Sequence, residues 1–221
     1  MITVWGRRNS MNVQKVMWTL GELNLEYQRH DVAGSFGTPD EYLALNPAGT
    51  VPTIQDGDLT MFESNACVRY LSRQYGSGSL TPENPADAAV ADQWMDWHTN
   101  NLSPVFFWIF LNKIRLPAEQ SNAAQMQRGI EQTGQIMQRL DKHLAEQSFM
   151  VGDQLTMADI PMGAVMYRYF EMDIDRPSVP NVERYYAQLK ERDAYQYHVM
   201  IPFGRNAEEW NSEEQRNAGI Q

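Results

Sequence analysis

The sequence predicts an α/β domain followed by an all-helical one. Strand-like and helix-like runs alternate as far as Tyr75, whereas beyond Pro85 only helical patterns remain. Between them lies Gly76-Ser-Gly-Ser-Leu-Thr-Pro-Glu-Asn-Pro85, the clearest turn-forming stretch of the chain. The expected division is therefore a first domain at residues 1–76, a linker at 77–85, a helical domain at 86–205 and an acidic tail at 206–221. A length of 221 residues and a hydrophobic share of 43% suit one or two domains with real cores.

The elements follow in order. Ile2–Trp5 is a short β-prone run, and Arg8, Asn9 and Ser10 make a polar turn after it. Val13, Val16, Met17, Leu20 and Leu23 then recur at helical spacing, which predicts a first amphipathic helix. Tyr27–Val32 reads as a second strand, and a short helix is expected from Asp40 to Leu45. Pro52–Gln55 and Leu59–Phe62 flank Asp56-Gly57-Asp58, a hairpin signal. Cys67, Val68, Leu71 and Tyr75 mark the last helix of the domain. Beyond the linker, helices are expected at 86–111, 119–146, 156–172 and 182–192, with Thr156-Met-Ala-Asp159 as a capping box. The end from Asn206 is polar and acidic and reads as a loosely held tail.

Composition excludes several roles. With 18 Lys+Arg against 28 Asp+Glu, the formal charge is -10, a field that repels nucleic acid and anionic membrane surfaces. The longest apolar run, Val105 to Leu111, falls far short of the roughly 20 residues that span a bilayer. The first residues lack the apolar stretch of a signal peptide, and the single Cys67 allows no intrachain disulfide, so a cytoplasmic enzyme is the expectation. The four histidines show no metal-ligand spacing, and no metal is assigned.

The chemistry concentrates near the N-terminus. Arg7, Arg8 and Lys15 precede the first acidic residue, Glu22, so the turn into the first helix is positive. Free N–H groups at a helix start add to that potential, which suits an anion or a thiolate. Ser10 reads either as the N-cap of that helix or as a hydroxyl that donates to a bound thiolate and lowers its pKa. Val51-Pro52 enters a strand either as an ordinary strand-initial proline or as a cis pair whose Val51 backbone meets an extended peptide. Ser64 reads as a cap or as a carboxylate partner, with Glu63 facing an ammonium. Together these features describe a small thiol peptide with an amino-acid-like end, which is glutathione.

The runs Ser10-Met-Asn12-Val-Gln-Lys15-Val16, Asn46-Pro-Ala-Gly49-Thr50-Val51-Pro52 and Phe62-Glu63-Ser64-Asn65-Ala66 resemble the glutathione-binding domain of the cytosolic glutathione S-transferases. Gly152-Asp-Gln-Leu-Thr156-Met-Ala-Asp159-Ile160 resembles the capping motif of their helical domain. The likeness covers residues 1 to about 200 and lies nearest the bacterial, serine-type, theta-like classes. It implies a thioredoxin-like N-terminal domain, an all-α C-terminal domain, a homodimer and a role in detoxification. By the same resemblance, Ser10 takes the thiolate-donor position and Asn12 an assisting one. Val51 and Pro52 take the backbone-pairing position, and Glu63 and Ser64 the γ-glutamyl end. Many relatives carry Lys or Arg where Thr50 stands, facing the glycyl carboxylate, and Arg7 or Arg8 is the candidate replacement.

The implied activity is transfer of glutathione to a small hydrophobic electrophile, with glutathione as co-substrate. Reduction of disulfides or peroxides with glutathione, or non-catalytic binding of a ligand or partner, are the alternatives. A protein dithiol mechanism is excluded, because the thioredoxin fold's Cys-x-x-Cys position holds Ser10 and Val13. Trp97 and Phe106 are the candidates for the electrophile pocket, while Cys67 on an apolar helix stripe reads as a buried, inert thiol.

Overall fold

The computed structural model describes residues 1–221. Strand β1 (Ile2–Trp5) runs parallel to β2 (Tyr27–His30), and helix α1 (Met11–Glu22) makes the crossover between them. Helix α2 (Asp40–Leu45) precedes β3 (Thr53–Asp56), which lies antiparallel to β1 and turns into β4 (Leu59–Phe62). The sheet order is β2-β1-β3-β4. Gly57 at φ 57° supplies the left-handed residue that the tight β3–β4 turn requires. Helix α3 (Ser64–Tyr75) joins α1 in a small core of Val4, Val13, Val16, Leu20, Ile54, Cys67 and Leu71.

The helical half contains α4 (Pro85–Trp97), α5 (Ser103–Phe110), α6 (Ala123–His143), α7 (Asp159–Glu171), α8 (Pro180–Lys190) and α9 (Asp193–His198). The helix expected at 86–111 is continued rather than uniform. Wide π turns at His98–Leu102 and Leu111–Arg115 flank α5 and rotate its faces. Half of the expected capping box forms: Asp159 accepts from the Thr156 backbone N–H at 2.8 Å, the Met150 N–H at 2.8 Å and the Tyr185 hydroxyl at 3.0 Å, while the Thr156 hydroxyl accepts from the Ala158 N–H at 3.3 Å instead of the Asp159 N–H. Burial pushes its carboxyl up to about 6, against the pull of those donors. The linker is pinned to this half, since the Met157 N–H donates to the Leu80 carbonyl at 2.7 Å.

Helix α1 belongs to both cores. Trp18 is fully buried among helical-domain residues and meets Tyr195 edge-on at 4.9 Å. Gly163 of α7 makes room for it, because a Cβ there would lie 2.7 Å from the indole ring. Thus α1, whose first turn opens the candidate site, is held from both domains.

Residues 206–221 correct the expectation of a loose acidic tail. They contain helix α10 (Ala207–Arg216), whose Asn206 side chain accepts from the Glu209 N–H at 3.0 Å as an N-cap. Trp210 is 2% exposed and packs edge-on to Phe110 at 5.3 Å. Glu214 is buried against Arg7, at 2.7 Å. The acidic composition exposes most of the helix, but one indole and one carboxylate find partners from distant parts of the chain. No helix is long and apolar enough to cross a membrane.

Candidate functional site

The site forms where the β1–α1 turn meets the helical half. Ser10 occupies the N-cap position of α1 in extended backbone (φ -73°, ψ 122°), yet its side chain makes no capping hydrogen bond. The hydroxyl is therefore left for another acceptor. Ser10 lines a cavity of about 150 Å³ together with Met11, Asn12, Phe106, Phe107 and Phe110. Arg7, Arg115, Arg168 and Trp210 complete the wall. A larger hollow of about 470 Å³ lies at the far end of α1. Its one cation, Arg192, is already paired with Glu22 at 2.6 Å, and its other charged groups, Glu191 and Asp193, are acidic, so it is unsuited to an anion or a thiolate.

A second cluster adjoins the turn. Ser64 is buried, and its hydroxyl donates to the Asn12 Oδ1 at 3.3 Å while accepting from Lys15 Nζ at 3.5 Å. Glu63, exposed beside it, adopts φ 68°, the left-handed region that side chains rarely take. The sequence separates Asn12 from Ser64, and the fold joins them. Lys15 was legible only as part of the positive stretch. Its complete burial lowers the ammonium pKa to about 7, with the Glu63 charge acting in the opposite direction. His98, in the first π turn, is also fully buried, and neither ring nitrogen has a partner. Burial and the Lys15 charge hold it well below the usual histidine range.

Val51 precedes Pro52 through a cis peptide bond, and no backbone group of the chain hydrogen-bonds the Val51 N–H or C=O. Thr50 is exposed, and its carbonyl accepts from the Asn46 amide at 2.8 Å and from the Tyr42 hydroxyl. That pair braces the loop ahead of the strand.

The cations divide differently from expectation. Arg7 reaches the cavity wall, but it is tied to Glu214. Arg8 is drawn away: it donates to the Asn217 side chain at 2.8 Å and the Tyr197 carbonyl at 2.7 Å, and lies 4.9 Å over the Tyr197 ring. It is a clamp on the C-terminal segment, not a ligand group of this cavity. Trp97 is likewise corrected, for it packs on Trp94 at 5.3 Å and does not reach the cavity, whereas Phe106 does. Nine residues apart, at about 3.6 residues per turn, the two aromatics fall on different faces of the helical run.

Sequence reasoning passed over Phe107, Phe110, Arg115, Arg168 and Trp210. Phe106 and Phe110 are four apart on one helix, a spacing that could have paired them. Arg168 interrupts the apolar α7 run, which is also a readable signal. It is 4% exposed, donates to the Asn9 carbonyl, and lies 4.5 Å over the Phe110 ring. Burial first, then the charges of Arg115 and Arg7, lowers its pKa to about 9. Cys67, as expected, is buried and inert, with its thiol pushed up to about 12 by burial.

A four-stranded α/β domain with an uncapped serine at its first helix, joined to a helical bundle that shares the cavity beside that serine, is a two-domain architecture with its candidate site at the junction. The models described as glutathione S-transferase, N-terminal domain and C-terminal domain match residues 9–74 and 97–193. Glutathione S-transferase GstB of Escherichia coli is 39% identical over 206 residues, covering 91% of this chain and 99% of GstB. Glutathione S-transferase F13 of Arabidopsis thaliana is 29% identical, covering 87% and 92%. Among solved structures, the theta class glutathione S-transferase from Xanthomonas axonopodis pv. citri with glutathione bound aligns at a TM-score of 0.88. It is 43% identical and covers 92% of this chain and 99% of its own. The chain belongs to the glutathione S-transferase family.

Proposed function

We propose that this enzyme binds glutathione, holds its sulfur as the thiolate at Ser10, and conjugates it to a hydrophobic electrophile seated against Phe106 and Phe110. The observation that carries the reading is Ser10, placed at a helix start in the wall of an aromatic-lined cavity, with its hydroxyl free of any cap bond. Hydrogen bonding from Ser10 and the positive end of α1 favour the charged form of the sulfur, so more thiolate is present near neutral pH. The thiol proton leaves to solvent, the sulfur attacks the electrophilic carbon, and the leaving group departs with its bonding pair. Val51 offers its unpaired backbone to the cysteinyl unit, as an added strand would be met. Glu63 and Ser64 receive the γ-glutamyl ammonium and carboxylate, while Asn12 orients Ser64 and assists at the sulfur.

The same reading makes the protein a cytoplasmic detoxification enzyme working as a homodimer. Partly exposed Leu59, Tyr75 and Val90 on β4, α3 and α4 support a protein contact there. Sedimentation tests the dimer, and a chain sedimenting at its monomer mass at micromolar concentration refutes it. Retention on immobilised glutathione, followed by conjugation of 1-chloro-2,4-dinitrobenzene, tests the activity. A protein that reduces a mixed glutathione disulfide but conjugates nothing belongs to the reductive alternative.

A further inference from the structure

Building on the proposed glutathione chemistry, we infer that the preferred electrophile is an acid: a carboxylate or similar anion on a single-ring or small apolar frame, received by Arg115 and Arg168. Around a cavity in a protein of formal charge -10, three guanidiniums face one carboxylate, Glu214. Glu214 does not cancel them. Its Oε1 accepts from the Ser35 N–H at 2.8 Å, and its Oε2 lies 2.7 Å from Arg7. One cation is thereby matched, and two are not.

Arg115 has no carboxylate partner and lies 4.7 Å over the Trp210 ring. Arg168 is more than nine-tenths buried, its Nε has no partner, and its Nη2 reaches only a backbone carbonyl and, at 3.4 Å, the Gln14 side-chain oxygen. Taking a cation out of water is costly unless an opposite charge meets it. Aromatic faces of Phe110 and Trp210 replace part of the lost hydration, and Glu214 acts on Arg115 only through space, so no carboxylate of the chain is in contact with either cation. An anionic ligand would make that contact. The cavity's volume of about 150 Å³ matches a hollow that takes up one benzene ring, and Ser10 is in its wall, so a bound acid would lie beside the sulfur.

Glutathione carries carboxylates of its own. The groups assigned to its backbone and γ-glutamyl end, Val51, Glu63 and Ser64, are not in this wall, whereas Arg115 and Arg168 come from the helical half. The two unmatched cations, Arg115 and Arg168, therefore face the second substrate.

The test uses 4-chloro-3,5-dinitrobenzoate and its methyl ester. In each, the thiolate attacks the carbon bearing chlorine, the C–S bond forms, and chloride leaves with the bonding pair. For both probes kcat/KM is divided by the uncatalysed rate constant, which removes the ester's greater intrinsic reactivity. The wild type should favour the acid by about tenfold or more, the effect of a charge-assisted hydrogen bond. In R115M, which keeps an apolar chain against Trp210, the acid-to-ester ratio should fall about tenfold. K113M, which removes a cation from the same π turn but outside the wall, should keep the ratio. Equal normalised rates for acid and ester in the wild type overturn the inference and leave glutathione transfer standing. A ratio unchanged in R115M, with a raised KM for glutathione, also overturns it by assigning the cation to glutathione. Conjugation of 1-chloro-2,4-dinitrobenzene but of neither probe overturns the inference alone, and conjugation of none of the three overturns the underlying glutathione-transfer reading as well.

Discussion

Replacing Ser10 by Ala separates a structural serine from one that activates sulfur. A serine that caps a helix contributes about 1 kcal/mol. Here no capping bond exists, so S10A should cost only a few tenths of that in urea unfolding. The hydrogen bond to a thiolate is charge-assisted and worth about 1.5–3 kcal/mol. At about 1.36 kcal/mol per pKa unit, its loss should raise the pKa of bound glutathione by about 1–2 units, towards or beyond the free-thiol value near 8.5. The thiolate fraction at pH 7 and the conjugation rate should then fall about tenfold or more, and raising the pH should restore part of both. The assay is the ultraviolet absorbance of the bound thiolate against pH in wild type, S10A and N12A. If N12A moves the curve and S10A does not, Asn12 is the activating group and the assignment of Ser10 is wrong. A curve unmoved by both would show that the helix start and the Arg7 charge suffice.

Glu63→Ala and Ser64→Ala should each weaken glutathione binding about tenfold or more in titration calorimetry while changing stability little; unchanged affinity in both removes them from the site. Lys15 gives a pH-dependent outcome. Its folded pKa of about 7 lies below the ordinary 10.5, so the unfolded chain binds more protons between these values and wild-type stability rises with pH across that window. Relative to K15M, the wild type should gain about 2 kcal/mol between pH 7 and 9 in urea unfolding, and a flat difference would show that Lys15 is not desolvated. Trp210→Ala should release α10 and lower stability by about 3 kcal/mol, with the segment after residue 205 becoming sensitive to limited proteolysis. An equally resistant C-terminus would mean that Glu214 and the terminal contacts hold the helix without the indole.

The sequence alone determined the class of each half, because these signals are local: a β-prone run marked β1, a hairpin signal marked β3 and β4, and helical spacing marked α1 and α3. It also pointed to Ser10, since a hydroxyl at a helix start beside cations is a short-range pattern. What side chains meet across the chain was decided elsewhere. Ser64 and Asn12 are neighbours only because α3 lies against α1, and Lys15 has an altered ammonium only because the same packing excludes water from it. A serine that caps a helix and one that faces a ligand look alike in a sequence; only the unmade capping bond of Ser10 distinguishes them. Arg8 and Arg7 are adjacent, yet one turns to Tyr197 and the other to the cavity, because their side chains leave a tight turn in different directions. Trp210 and Glu214 sit in a segment whose acidic composition reads as tail, and their burial depends on Phe110 and Arg7, which are about 100 and 207 residues away. Propensity acts over a few residues, whereas burial and charge pairing are properties of the closed fold, and it is the second kind that makes this cavity cationic.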